Sequence, residues 1–159
     1  MNIRKAIAAE LERICDIYDI AREFMRATGN PTQWSDGYPE RELLAEDIKN
    51  GNLFVMEKDG LPIGVFALFT GEDPTYQYIE GQWCNDAPYA TIHRIASDGS
   101  AKGVLPAAVD YAYSLHQNVR IDTHHDNKVM QHLLAKLGFA RCGIIYLENG
   151  DPRIAYQKL

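Results

Sequence analysis

The chain has 159 residues, 46% of them apolar, which is enough to build one domain with a sizeable core over residues 1–159. The formal net charge of −6 and the lack of a basic stripe argue against nucleic-acid binding, and no apolar run approaches the roughly 20 residues of a membrane span. The charged N-terminus is unlike a signal peptide, and the three scattered cysteines form neither a disulfide framework nor a metal-type pair, so a cytoplasmic protein is expected.

The N-terminal half predicts a strand, two helices and a hairpin. In chain order these are a strand over 2–7, a helix from 11 to 29, a helix from 39 to 51, and hairpin strands over 53–58 and 62–70. Ile3 and Ile7 are expected on one face of the first strand, and Pro39 suits a first helical position. Residues 71–89 are polar and aromatic and give no clear assignment.

The C-terminal half alternates strands and helices. The predicted elements are a strand over 91–97, a helix over 104–115, a strand over 118–124, a helix from 126 to 138, and two strands around a turn at 148–152. Asp126 is the expected N-cap of the second of these helices, and Leu115 is expected on the apolar face of the first. The strand-helix-strand unit predicts a parallel pair, and the whole order indicates a mixed α/β fold.

The turn between the strand at 91–97 and the helix at 104–115 is rich in small residues. Gly99 and Gly103 permit close backbone approach, Lys102 adds a cation, and a helix N-terminus can bind a phosphate through its free N–H groups. The spacing matches neither the P-loop nor the dinucleotide-binding fingerprint. A plain strand-to-helix turn and a phosphate-binding turn both remain open on this evidence.

The order of strand, glycine turn, helix, strand, Asp-Asn helix start, helix and Gly-Phe resembles the GNAT superfamily of N-acetyltransferases along the whole chain. Gly103 takes the position of the first glycine in that family's pyrophosphate turn, and Asn127 that of the asparagine preceding Gly138-Phe139. The sequence departs from the family at four positions: Ser100 and Leu105 in the turn, Pro106, which lacks an N–H, and Leu134 at the position of a tyrosine that protonates the departing thiolate.

The resemblance implies a central mixed, twisted sheet of about seven strands flanked by about four helices. It also implies acetyl-CoA as co-substrate, without a metal, and transfer of the acetyl group to a primary amine of a small molecule or peptide by direct attack. The alternative is a catalytically weak or inactive module of the same fold that binds acyl-CoA as a sensor or regulator. Because members of the family pair through C-terminal strands, a homodimer is expected.

The resemblance assigns the cofactor site to backbone groups of a β-bulge before the glycine turn, to the turn itself, and to the later asparagine. The residues implied are Ile95, Ala96 and Ser97 for the pantetheine and thioester, Lys102, Gly103 and Val104 for the pyrophosphate, and Asn127 for the pantetheine amide.

Histidine is the natural candidate for a general acid or base, since its ordinary pKa lies near neutrality. His93 and His124 lie near the ends of the two predicted parallel strands, where a ligand is expected to enter. The alternative for each is a hydrogen-bonded structural histidine. A metal site at His124, His125 and Asp126 is disfavoured, since adjacent residues on a strand point to opposite faces.

The acceptor pocket implied by the resemblance comes from the first helix-loop-helix and the loop before the strand at 91–97. Trp34, Tyr38 and Trp83 are the aromatic candidates for binding the acceptor, with acidic residues such as Asp36 and Asp73 beside them. Aromatic faces and carboxylates suit an amine that arrives as a cation. The alternative is that these aromatic residues cover a sheet edge or a dimer contact.

Overall fold

Eight strands form one mixed sheet in the order β1-β2-β3-β5-β6-β8-β7-β4. The structure is a computed structural model that describes every residue from Met1 to Leu159. Its strands are β1 Asn2–Lys5, β2 Leu53–Lys58, β3 Leu61–Thr70, β4 Glu80–Gly81, β5 Ala90–Ser97, β6 Val119–Thr123, β7 Ala140–Tyr146 and β8 Pro152–Lys158. Its α-helices are α1 Leu11–Ala27, α2 Arg41–Lys49, α3 Val104–Leu115 and α4 Lys128–Lys136.

Strands β5 and β6 form the one parallel pair of the sheet, as the sequence predicts for a strand-helix-strand unit. Their pairing is short: Ala90 lies opposite Val119 and Thr91 opposite Arg120, and beyond these residues the two strands part. All other neighbouring strands are antiparallel. The divergence leaves a gap in the middle of the sheet.

The helices lie on both faces of the sheet because successive strand residues point to opposite sides. On β2, Phe54 and Met56 pack with α3 and α4 in the larger core, whereas Leu53 and Val55 pack with α1 and α2 in the second. No helix of the structure combines the length and the apolar character that crossing a membrane requires.

Four local predictions were wrong. Strand β1 ends at Lys5, so Ile7 is not part of it and is 55% exposed. The chain turns there into a short 3-10 helix, Ala8–Glu10, and the Glu10 carboxylate accepts a hydrogen bond from the Ile7 N–H. Helix α2 begins at Arg41, after a cis Tyr38–Pro39 bond, so Pro39 is not its first helical residue. Leu115 is 51% exposed on the last turn of α3.

The fourth wrong prediction is the N-cap of α4. Asn127, not Asp126, is the N-cap, because its side-chain oxygen accepts a hydrogen bond from the Met130 N–H at 3.0 Å. All three cysteines are free thiols, although Cys84 and Cys142, far apart in sequence, lie with their sulfur atoms 3.8 Å apart.

Residues 71–89, which gave no assignment, fold into a 3-10 turn over Pro74–Tyr76 and the two-residue strand β4. Strand β4 pairs with β7 at the sheet edge and raises the strand number from the expected seven to eight. Tyr76 and Tyr89 form a third, small core with Ile145 and Ala155. Residues 71–89 therefore pack against β7 and β8 at one edge of the sheet, and through Tyr76 they also lie beside the gap between β5 and β6.

Candidate active site

A cavity of about 770 Å³ opens where β5 and β6 part. Its walls come from the α1–α2 loop, β5, β6 and the β7–β8 turn, which are distant in sequence. Trp34 and Tyr38, predicted to bind the acceptor, both line it, as do His93 and Asn127. Five carboxylates also line the cavity: Asp36, Asp73, Asp122, Glu148 and Asp151.

Strand β5 carries a bulge where it borders the cavity. Its pairing with β3 matches Ala96 to Val65 and His93 to Ala67, so Arg94 and Ile95 lie opposite the single residue Phe66. Arg94 has φ +50, in the left-handed region, which is uncommon for a residue with a side chain. A bulge of this kind leaves strand backbone unpaired, and the resemblance implies one at this place.

The bulge is held from both sides by side chains. The buried Tyr18 hydroxyl of α1 donates to the Arg94 carbonyl at 2.6 Å. The Arg94 guanidinium donates to the Asp47 carboxylate at 2.8 and 3.1 Å and to the Tyr38 hydroxyl at 3.3 Å. These bonds fix β5 to α1, to α2 and to the cavity loop, so the unusual backbone of the bulge is kept by tertiary contacts.

His93 has a defined partner at one of its two ring nitrogens. Its Nε2 lies 2.7 Å from Asp73 Oδ2. Burial raises the pKa of Asp73, but the hydrogen bonds from His93 and Thr75 outweigh that and lower its pKa to about 2. An ionised carboxylate only accepts hydrogen bonds, so Nε2 of His93 is the donor in this pair, and Nδ1 is the ring nitrogen without a hydrogen-bond partner. Nδ1 lies 3.9 Å from Asp122 Oδ2, too far for a hydrogen bond.

The carboxylates around His93 are held by the segment between β3 and β5. The Tyr76 hydroxyl donates to Asp122 Oδ2 at 2.7 Å, and the Asp73 N–H donates to the Tyr89 hydroxyl at 2.8 Å. Burial and the nearby Asp122 carboxylate raise the pKa of Tyr76 well above its ordinary value, so it stays a donor. Position and charge around His93 are therefore both set by groups that are themselves hydrogen-bonded within the protein.

Arg153, at the start of β8, lines the cavity and is only 6% exposed. Its Nη1 donates to the Pro152 carbonyl at 2.8 Å and its Nη2 to the Gln33 carbonyl at 3.5 Å. Burial lowers its pKa, although the charges of Asp122 and Asp151 act in the opposite direction. Neither carboxylate is close enough to form an ion pair with it. No pattern in the sequence indicates that Arg153 lies in the site.

The turn that leads from β5 into α3 leaves several N–H groups without partners. Gly103 has φ +90 and caps α3 without a side chain, and the first amide to bond back into the helix is that of Ala107, at 3.1 Å. The amides of Ala101, Lys102 and Gly103 donate to no acceptor within the protein. Open amides beside an exposed lysine suit an anion such as a pyrophosphate, so the turn fits the cofactor that the resemblance implies.

His124 lies at the end of β6 but does not line the cavity, and it is 7% exposed. Its Nδ1 accepts from the Asp126 N–H at 3.0 Å, and its Nε2 lies 3.1 Å from the Thr32 hydroxyl. Burial lowers its pKa, and the positive charge of Arg153 acts in the same direction. Both ring nitrogens already have partners, which favours the structural alternative over a role in proton transfer.

The geometric argument against a metal site at this turn was wrong. His124 and His125 do not point to opposite faces: their rings stack with centroids 4.3 Å apart, because β6 ends at Thr123 and strand alternation no longer applies. The ligand atoms of His124, His125 and Asp126 lie within 4.8 Å of one another. His124 nevertheless has no free nitrogen to offer, since both are hydrogen-bonded.

Three further residues named from the sequence have other surroundings. Trp83 does not line the cavity: its Nε1 donates to the Tyr76 carbonyl at 3.0 Å, and its ring covers the Arg120 guanidinium at 4.0 Å. Asn127 lines the cavity, but its side chain caps α4 and donates to Gln33 at 3.0 Å. Leu134, at the position of the family's tyrosine, is fully buried in the larger core.

No known protein-family model matches the sequence, and no curated protein is similar to it at a significant level. Solved structures are similar. An acetyltransferase of the GNAT family from Streptococcus agalactiae is 36% identical, with a TM-score of 0.88 over 99% of this chain and 94% of that chain.

More distant structures share the fold. A putative acetyltransferase from Staphylococcus aureus is 23% identical, with a TM-score of 0.72 over 99% of this chain and 98% of its own. A ribosomal-protein-alanine N-acetyltransferase from Brucella melitensis is 16% identical, with a TM-score of 0.65 over 100% and 99% of the two chains. With the splayed parallel strands, the bulge at Arg94 and the open turn before α3, the similarity over nearly the whole Streptococcus agalactiae chain shows that this protein belongs to the GNAT family of acetyltransferases.

Proposed function

We propose that this protein transfers an acetyl group from acetyl-CoA to a primary amine. The observation that carries the proposal is the His93–Asp73 pair, which stands in the cavity directly before the bulge of β5. A histidine whose one nitrogen is fixed by a carboxylate and whose other nitrogen is free is the arrangement that general-base catalysis uses.

The donor side of the site is assigned to β5 and the turn that follows it. Acetyl-CoA, when bound, supplies an acetyl group activated as a thioester. The open amides from Ala101 to Gly103, the first-turn amide of Val104 and the Lys102 ammonium would hold the pyrophosphate. The backbone of Ile95, Ala96 and Ser97 would bind the pantetheine arm, with Asn127 across the gap between the strands.

His93 prepares the amine for attack. An amine is nucleophilic only when neutral, so a proton has to leave it before or during formation of the N–C bond. Nδ1 of His93 is free to accept that proton, and the Asp73 and Asp122 carboxylates on either side stabilise the imidazolium that results. The sulfur of the broken C–S bond leaves as a thiolate or thiol.

The acceptor side of the cavity favours a cation. Its five carboxylates outnumber its two arginines, and Arg94 is already paired with Asp47. Trp34, packed edge-on against Tyr18, and Tyr38 add aromatic faces beside these carboxylates. An alkylammonium would therefore concentrate here before it loses its proton.

The test is release of the coenzyme A thiol from acetyl-CoA in the presence of a panel of primary amines, followed by a thiol reagent and by mass spectrometry of the products. The proposal expects an acetylated amine and a rate that falls at least about 100-fold in His93→Gln. A rise in melting temperature with acetyl-CoA but no acetylation of any amine would instead favour the sensor alternative.

Several expectations stay predictions. They are a single domain, a cytoplasmic location, a homodimer, the lack of nucleic-acid and membrane partners, acid or base catalysis by His124, and acceptor binding by Trp83.

A further inference from the structure

The cavity contains a buried cation without a counter-ion. A guanidinium has five N–H groups, and Arg153 uses two of them, one at the long distance of 3.5 Å. A buried charge is costly unless it is paired, and no carboxylate pairs with this one. Arg153 is one of the lining residues of the cavity, and none of its nitrogens is both buried and without a hydrogen-bond partner, so its unused N–H groups remain accessible.

Arg120, the other deeply buried arginine of the sheet, has different surroundings, although its Nε has no hydrogen-bond partner. It is 5% exposed, as deeply buried as Arg153, but the rings of Trp83 and Tyr89 cover its guanidinium at 4.0 and 3.9 Å. It also donates to the Asn85 carbonyl at 2.9 Å. Arg153 has no aromatic ring over it and no carboxylate, although it lies in the same sheet.

The carboxylates near Arg153 have other partners. Asp122 accepts from the Tyr76 hydroxyl and lies beside His93 Nδ1, and Asp151 accepts from the Asn149 side chain at 3.2 Å. Their charges act on Arg153 only by electrostatic attraction at a distance, without a hydrogen bond or an ion pair. Asp122, on β6, thus lies between His93 on β5 and Arg153 on β8. A small molecule whose ammonium lies beside Asp122 could therefore reach both the base and the guanidinium.

We infer that Arg153 binds a carboxylate of the acceptor, so that the acceptor is an amino acid whose amine faces His93 and Asp122. A guanidinium binds a carboxylate through two parallel hydrogen bonds, a geometry that an ammonium cannot reproduce. The inference rests on the proposed function and deepens it, because it names the substrate class of the same site.

The experiment compares each of the common amino acids with its own carboxamide, which keeps the amine and the side chain but has no charge at the carboxyl carbon. Acetylation is followed by thiol release, and binding by calorimetry with coenzyme A present. The amine of a carboxamide is less basic and more often neutral, so simple reactivity favours the carboxamide. A preferred amino acid is therefore expected to exceed its carboxamide in kcat/KM by about 10- to 100-fold only if the carboxylate is bound.

Two matched variants separate binding from folding. Arg153→Lys keeps the charge and loses the two-pronged geometry, so KM for the amino acid is expected to rise about tenfold or more while the value for the carboxamide changes little. Arg120→Lys replaces the other buried arginine, which lies outside the cavity, and is expected to lower the melting temperature without changing the preference for the carboxylate.

The outcomes distinguish the two levels of the proposal. Equal or faster acetylation of carboxamides, or an unchanged preference in a folded Arg153→Lys protein, would overturn the inference and leave the acetyltransferase proposal standing. Binding of amino acids that Arg153→Lys abolishes, without any turnover, would support the inference and count against the proposed reaction. Binding of no amino acid at all would overturn the inference directly.

Discussion

The two strand-turn-helix units that flank the gap in the sheet, β5–α3 and β6–α4, have the same order of elements but differ at the start of the helix. In β5–α3 the helix starts at a left-handed glycine, Gly103, and the amides before it are open. In β6–α4 the helix starts at Asn127, whose side chain satisfies the Met130 amide, while His124 accepts from the Asp126 amide. The amides before α3 are therefore open to a ligand, whereas side chains of the protein already bind two of the amides at the start of α4.

The difference shows that element order alone does not decide where a ligand binds. Both units carry a histidine near the strand end and a lysine near the helix start, so residue types give no distinction either. What differs is whether hydrogen bonds within the protein have already used the polar groups. The same reasoning separates His93, with a free nitrogen, from His124, with none.

The largest effect that would test this contrast is expected at His93. His93→Gln keeps a polar side chain of similar size but cannot take a proton, so kcat/KM for amine acetylation is expected to fall by about 10²- to 10⁴-fold. The melting temperature is expected to change little, because the glutamine amide can still donate to Asp73 and because His93 is only half-buried. Steady-state kinetics and a thermal melt on the same preparation check both. A variant with near-native kcat/KM would show that another group is the base.

The counterpart at the other strand end is His124→Ala, for which the expected effect is on stability. The substitution leaves the Asp126 amide and the Thr32 hydroxyl without their partner, and two lost hydrogen bonds at a buried site cost about 2 kcal/mol. The melting temperature should fall by roughly 4–8 °C for a domain of this length. If kcat falls instead while stability is retained, His124 acts in catalysis and the contrast between the two strand ends is lost.

The same two regions are expected to lose stability in different pH ranges. His124 has a pKa below its ordinary 6.5, so the unfolded chain binds the proton more readily; the stability due to its neutral ring is complete well above pH 6.5 and declines as the pH falls through that value. Asp73 has its pKa lowered from 3.8 to about 2, so the stability that its ionised carboxylate contributes is complete above pH 4 to 5 and is lost toward pH 2.

Denaturant unfolding at a series of pH values measures both contributions. His124→Ala should flatten the decline that begins near pH 6.5, and Asp73→Asn should remove part of the decline below pH 4. A decline near pH 6.5 that His124→Ala leaves unchanged would mean that other groups cause it.

The sequence predicts the elements whose pattern is local. The β2–β3 hairpin follows from alternation and the Asp59-Gly60 turn, and α3 follows from its apolar periodicity after a glycine turn. It does not predict the fold of residues 71–89, because tertiary contacts order that segment: Tyr76 bonds Asp122, and Trp83 packs on Arg120. No periodicity within the segment reports those partners.

The candidate site is predicted in part for the same reason. His93, Trp34 and Tyr38 reach the cavity as the residue types and the resemblance indicate. Trp83 does not, since an aromatic residue in an unassigned loop can equally cover a buried arginine. Arg153 could not be found, because alternation along β8 fixes its face of the sheet but does not show that β5 and β6 part to open a cavity on that face.

The smallest expected effect compares the two lysines at the helix starts. Lys102 lies beside amides that have no acceptor in the protein. Lys128 is the first residue of α4, whose N-cap side chain already binds the Met130 amide. An exposed lysine adds only a screened attraction to a phosphate, so Lys102→Ala should raise KM for acetyl-CoA by about two- to fivefold, and more at low salt than at high salt. Lys128→Ala should leave that KM within experimental error, because the amides of Asn127, Lys128 and Met130 at the start of α4 are already bonded within the protein. Equal effects of the two substitutions would mean that the summed electrostatic potential of the surface attracts the pyrophosphate. The open turn before α3 would then not be its specific binding site.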